Sequence, residues 1–142
     1  MTSVITDEYL NIPQDYKSVI QRGNGVCTGF ANLFSHFCKL VHIPEYQVNG
    51  YAKGAFTSDS DDPNKSNHVW NLAKADKYWY IVDVTWDSSS ITNGRLNRYY
   101  SNKCLFTPPE QFITTHFPIN SDCQLLTPPV KVNDFINMPR KD

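Results

Sequence analysis

No stretch of this sequence approaches the ~20 consecutive apolar residues that cross a membrane. Its opening, MTSVITDEYL, lacks the basic residues and apolar block of a secretion signal. Cysteine is scarce: Cys27, Cys38, Cys104 and Cys123 stand far apart, with no Cys-x-x-Cys pair. That excludes a disulfide framework and makes a closed zinc site a poor reading, so reduced thiols are expected. Charge of one sign is missing too. The net charge is −1, and no basic cluster extends beyond Arg140-Lys141. Neither a nucleic acid nor a membrane surface is therefore an expected partner. These absences leave a cytoplasmic location as the default, where the sequon Asn64-Lys65-Ser66 has no meaning.

What is present is apolar and aromatic: 40% hydrophobic residues, with eight Tyr, eight Phe and three Trp. That composition argues against disorder. A chain of 142 residues reads as one domain that buries roughly 70% of its unfolded surface. We divide residues 1–142 into a core of about 12–103 and a Pro-rich segment, 104–142, wrapped on it.

The strongest local pattern is NGVCTGFANLFSHFCKLV, residues 24–41. Cys27, Phe30, Ala31, Phe34, Phe37, Cys38 and Val41 fall on one stripe of a helix that starts at Cys27 and ends before Pro44. A strand is expected over Tyr46 to Ala52, then a polar loop from Ala55 to Asn67. The loop's Asp59, Asp61 and Asp62 resemble a calcium loop, but the glycine that the EF-hand pattern needs is missing, so no metal is expected. Further on, Thr107-Pro-Pro-Glu110 fits a capping box and predicts a short helix there, and a second Thr-Pro-Pro at Thr127 also precedes a short Phe-containing segment.

HVWNLA and YWYIVDVTW are strand-like runs around KADK. An antiparallel hairpin turning between Ala75 and Asp76 sets His68 directly opposite Asp83 on the same face. A shifted turn would change that register. A charge inside an apolar strand is costly unless paired, which favours the pair over either residue alone. Cys27 gains meaning beside them. Unpaired N–H groups and the macrodipole at a helix start favour a thiolate, a nearby imidazolium favours it further, and a carboxylate on the second ring nitrogen fixes the tautomer. Cysteine on a helix start with His and Asp on neighbouring strands is the papain-like arrangement, in an α+β fold with the Cys-bearing helix packed on an antiparallel sheet. The alternative for Cys27 is a buried, inert thiol.

GVCTGFANLFSHFCKL, VNGYAKG, SNHVWNLA and WYIVDVTWD resemble the transglutaminase-like superfamily, with Cys27, His68 and Asp83 on its Cys, His and Asp motif positions. YYSNKCLFTPPEQFITTHFP and CQLLTPPVKVNDF are similar to the kyphoscoliosis-peptidase branch, which usually carries Trp where this chain has Cys123. The resemblance implies thiol-dependent acyl chemistry on protein or peptide amides, as a peptidase, deamidase or transglutaminase. Cys27 would be nucleophile, His68 proton shuttle and Asp83 orienter, with no cofactor required. The Cys27 N–H and Gln21 are candidate oxyanion donors, and Trp70 and Trp86 candidate walls of a substrate site. His36 and His42 read as solvated and His116, in THFP, as structural. The rival expectation is an interaction domain, cytoskeletal or scaffold-associated, that keeps the Cys, His and Asp without using them.

Overall fold

The computed structural model describes residues 2–3, 12–54, 57–58, 60–92, 95–98 and 101–139. Helix α1, Tyr16–Arg22, starts at Asp15, whose carboxylate accepts from Ser18 N at 3.1 Å, and it buries Val19 completely. Asn24–Gly25 (β2) pairs in parallel with Thr2–Ser3 (β1) and delivers the chain to helix α2, Cys27–Leu40. The expected helix is therefore present, with its start at Cys27. Its buried face differs in detail. Phe30, Ala31, Leu33 and Cys38 are buried, whereas Phe37, and Val41 just past the helix end, are more than half exposed. His36, expected in solvent, stacks on Tyr16 of α1 with ring centroids 3.6 Å apart.

The two helices meet very closely. A Cβ on Gly29 would clash with Gln14 Oε1 and would lie 2.8 Å from a Val19 methyl, so only glycine admits this approach. Gln14 cannot simply swing away, because its Oε1 accepts from Val26 N at 3.1 Å, just before the helix start.

The sheet has the order β5-β4-β3-β8, with every pairing antiparallel: β3 is Glu45–Ala52, β4 His68–Ala75, β5 Tyr78–Val82 and β8 His116–Pro118. Strand β4 is buried continuously from Val69 to Ala73, so both of its faces are covered. On one face Asn71 donates from Nδ2 to Ala31 O of α2 and to Glu45 Oε2 at 2.7 Å. On the other, Trp70 and Leu72 join Val48, Ile81, Phe112 and Cys123 in one apolar cluster. Cys123 thus occupies a core position.

The β4–β5 turn differs from expectation. It falls at Asp76-Lys77, with Asp76 left-handed (φ 55°), so Leu72 faces Ile81 and Asn71 faces Val82. The register is offset by two residues from the expected one, which preserves faces because side chains alternate with period two. The strand also stops at Val82. Asp83 ends it, and a short helix α3, Val84–Ser88, follows where strand was expected to run on to Trp86. Asp83 Oδ1 accepts from Trp86 N at 3.1 Å, the hydrogen bond of a helix N-cap.

After α3, β6 (Ser89–Thr92) and β7 (Arg95–Arg98) form a separate hairpin. The Pro-rich segment then returns to the sheet. Phe106 N donates to Ile81 O at 2.9 Å beside β5. Helix α4, Pro109–Phe112, forms where Thr107-Pro-Pro-Glu110 predicts one, but without the capping box: the Thr107 hydroxyl donates to Lys103 O instead. Strand β8 pairs with Gly50–Ala52, and a Cβ on Gly50 would lie 2.5 Å from Phe117 O. Helix α5, Val132–Asn137, follows the second Thr-Pro-Pro and inserts a fully buried Phe135 against Tyr51, Ile113 and Phe117. In the 55–67 loop, Asp61 and Asp62 accept from the loop's own backbone at Ser58 N and Asn64 N; the expected Asp59 lies outside the described residues.

Candidate active site

Three elements converge on one point. Cys27 is the first residue of α2, His68 the first of β4, and Asp83 the residue between β5 and α3. His68 Nε2 lies 2.7 Å from Asp83 Oδ2. The thiol of Cys27 interacts with the His68 ring and with the backbone N–H of Val69. With Nε2 engaged by Asp83, Nδ1 is the ring nitrogen left for the thiol. Two residues of register shift therefore left the pairing intact, now on a diagonal rather than directly across.

The His68–Asp83 pair is largely buried, and the charges of the site hold one another. The side chains of His68 and Asp83 are 9% and 1% exposed. Burial alone would strip the proton from His68, but the Asp83 charge and hydrogen bond, joined by Cys27, push its pKa up to about 10. Burial raises the Asp83 carboxyl, and the positive charge of His68, with hydrogen bonds from both His116 and His68, overcomes it and holds the group well below the usual carboxylate range. For Cys27 burial again opposes the charged form, yet the His68 hydrogen bond and charge leave the thiol below its ordinary value. By contrast burial pushes the thiols of Cys38 and Cys123 up. A thiolate–imidazolium pair anchored by a carboxylate is the chemistry this geometry can support.

His116 is a member that sequence reading placed outside the site. It comes from β8, is fully buried, and its Nε2 lies 3.0 Å from the same Asp83 Oδ2. The ligand atoms of His68, Asp83 and His116 lie within 4.8 Å of one another, a spacing one ion could bridge, but each contact is a hydrogen bond of ordinary length. The remaining candidates differ in exposure and in their neighbours. Gln21 is exposed on α1, whereas Gln14 occupies the α2 start through Val26 N. Trp70 is 1% exposed in the core, its ring 6.0 Å from that of His68, and Trp86 is half-buried with its ring 6.3 Å from His68. Nothing in the sequence marks Gln14; a histidine in an apolar strand partner, as in THFP, was the available sign of His116.

The family model described as the transglutaminase-like superfamily matches residues 2–84, a span that holds Cys27, His68 and Asp83 and stops short of His116. Kyphoscoliosis peptidase of Mus musculus is 32% identical over 114 residues, as is that of Homo sapiens, covering 78% of this chain. The Lim and transglutaminase domain protein ltd-1 of Caenorhabditis elegans is 25% identical over 120 residues, covering 75% of this chain. The chain spans only 17% of the length of each of these relatives.

Proposed function

The chain belongs to the transglutaminase-like superfamily, and from that premise we propose that it performs thiol-dependent acyl chemistry on protein or peptide amides. Cys27 attacks the carbonyl carbon, His68 carries the proton from thiol to leaving amine, and Asp83 orients His68. The acyl-enzyme then passes to water, as in a peptidase or deamidase, or to an amine, as in a transglutaminase. The carrying observation is the 2.7 Å hydrogen bond between His68 and Asp83 beside a thiol at a helix start. The Cys27 N–H is the oxyanion donor in this reading, with Gln21 the further candidate, and half-buried Trp86 walls the acyl donor ahead of the core residue Trp70. Four cysteines held as thiols fit a reducing, cytoplasmic location.

One observation favours a second reading. Phe37, Leu40, Val41 and Ile43 are between 41% and 63% exposed around the far end of α2, and exposed apolar groups of this kind suit a protein-binding module in a cytoskeletal or scaffold assembly. The two readings separate in one experiment. The protein and its Cys27→Ala variant are incubated with a proteome extract and a tagged primary amine, and adducts, cleavages and deamidations are mapped by mass spectrometry. Products that depend on Cys27 establish acyl transfer and identify the acceptor. Stable complexes without Cys27-dependent products make the domain a binding module.

A further inference from the structure

Asp83 Oδ2 lies between two imidazoles rather than one. His68 Nε2 approaches at 2.7 Å from β4, and His116 Nε2 at 3.0 Å from β8. The other carboxylate oxygen, Oδ1, accepts from Trp86 N at 3.1 Å. The carboxylate is thus fixed by N–H donors from three different elements, and it is 1% exposed. Behind it the line continues: Thr115 Oγ1 lies 2.8 Å from His116 Nδ1 and 3.2 Å from Phe112 O. The Thr115 hydroxyl donates to Phe112 O, and because the Asp83 carboxylate can only accept, His116 Nε2 is the nitrogen that bears hydrogen toward it. The ring itself cannot turn. It stacks on Phe112 at 3.9 Å and 16°, with Trp86 at 4.4 Å and Trp70 edge-on at 5.1 Å.

We propose that His116 is a positioning residue for the reaction: locked by Thr115 and the aromatic rings, its Nε2–H holds the Asp83 carboxylate in the orientation that grips His68. The inference rests on the acyl-transfer reading of Cys27. It makes the Pro-rich segment, through β8, part of the site, although residues 2–84 already contain the nucleophile, the base and the carboxylate. Two effects oppose each other when this donor is removed. A carboxylate oxygen relieved of one donor is a stronger acceptor for the other, which would tighten its hold on His68. A carboxylate relieved of one restraint also rotates, and a hydrogen bond weakens steeply once its angle closes toward ~120°. Orientation wins, because β5 ends at Val82 and, besides His68 itself, only the α3 cap on Oδ1 would still hold the group.

The test reads the Cys27 thiolate directly, by its alkylation rate with iodoacetamide across pH 5–10, in wild type, His116→Phe, His116→Gln and Thr115→Val. The charged and titratable groups around Asp83 are His68 from β4, His116 from β8, Cys27 from α2 and Asp87 from α3, and all but His116 itself are retained in these chains. Phenylalanine keeps the ring stack and loses the donor; the glutamine amide reaches about as far as Nε2 and keeps it. His116→Phe should slow Cys27 alkylation at pH 6 by about 10-fold and move its midpoint toward the ~8.5 of an ordinary thiol. His116→Gln should stay within about 3-fold of wild type, and Thr115→Val should fall between, because His116 Nδ1 loses its hydroxyl partner. A His116→Phe midpoint that stays or moves down overturns the proposal, as does a His116→Gln loss equal to that of His116→Phe. Should His116→Phe not fold, the Gln and Thr115→Val pair decides by the same criteria. Ordinary Cys27 reactivity in the wild-type chain sinks this inference together with acyl transfer; enhanced reactivity that survives His116→Phe sinks this inference alone.

Discussion

His68 and Asp83 are hydrogen-bonded at 2.7 Å from positions that do not face each other in the hairpin, His68 at the first residue of β4 and Asp83 just past the end of β5. The bond spans that diagonal because Asp83 has left the strand and caps α3, which turns its carboxylate back toward the start of β4. One residue thus closes a strand, opens a helix and grips an imidazole. The arrangement couples the His68 contact to local structure: a change that unwinds the first turn of α3 also removes the Oδ1 restraint on the carboxylate that grips His68.

Replacing Asp83 with Asn separates those roles. The amide oxygen can still accept from Trp86 N, so α3 survives, but the charge that holds the His68 proton is gone. Acyl-transfer turnover should fall on the order of 10³-fold or more, from loss of the imidazolium and its tautomer. Stability should fall by about 1–3 kcal/mol, from buried His68 and His116 groups left imperfectly paired. Steady-state kinetics beside urea denaturation checks both. Turnover unchanged within a factor of two would make Asp83 structural.

Much of this arrangement was readable from residue types and spacing, and the misses have definite causes. The helix from Cys27 was legible because a start residue, a 3.6-period stripe and Pro44 agree. The pairing of His68 with Asp83 was legible although the turn was misplaced, since a two-residue slip conserves faces. Asp76 in a left-handed conformation moved the turn, and KADK carries only that weak sign of it. Strand propensity in YWYIVDVTW hid α3, where Asp83 as a cap outweighs the β-branched residues that follow. His116 and Gln14 were not legible as site residues, because each arrives from a segment remote in sequence whose docking only the tertiary fold decides.

The α1–α2 contact yields a second prediction. A methyl at position 29 meets Val19 at 2.8 Å as well as Gln14, and Gln14 is held by Val26 N. Gly29→Ala should therefore cost about 1–3 kcal/mol through overpacking, although alanine is the better helix former. Adding Gln14→Ala removes one of the two obstacles and should restore part of that loss, at the expense of the bond to Val26. Urea midpoints of the single and double variants test it. A Gly29→Ala chain as stable as wild type would mean the helices sit farther apart.

The His68–Asp83 pair also sets a pH dependence of stability. The folded value of His68 is raised to about 10 from an unfolded ~6.5, so its contribution is complete below ~6.5 and is lost as pH rises through about 10. Asp83 is depressed, so its contribution is present above ~3.9 and is lost as pH falls through its folded value. Cys27 acts in the opposite alkaline sense, its depressed value adding stability above the ordinary thiol range, so the measurement belongs in a Cys27→Ala background. There, denaturation should show a plateau between about pH 4 and 6.5 and a decline above it that His68→Gln flattens, ending at a lower pH than in the wild type because Cys27 no longer helps to raise His68. An identical decline in His68→Gln would assign it to other groups.

Differential alkylation tests the nucleophile before any substrate is known. Cys27 sits at the α2 start with the His68 ring and the Val69 N–H on its sulfur, and its thiol lies below the ordinary value despite burial. Cys38 lies on the buried stripe of the same helix and Cys123 in the Trp70 cluster, and burial raises both thiols. Near pH 6, a limiting pulse of iodoacetamide should label Cys27 at least about 10-fold faster than Cys38 or Cys123, because only the thiolate reacts. His68→Ala should erase that preference by removing the imidazolium, whereas a general loosening of the fold would instead raise labelling at Cys38 and Cys123. Site counting by mass spectrometry after the pulse distinguishes the two patterns. Equal labelling in the folded wild-type chain, or a preference that survives His68→Ala, would show that the place of Cys27 beside His68 carries no chemistry.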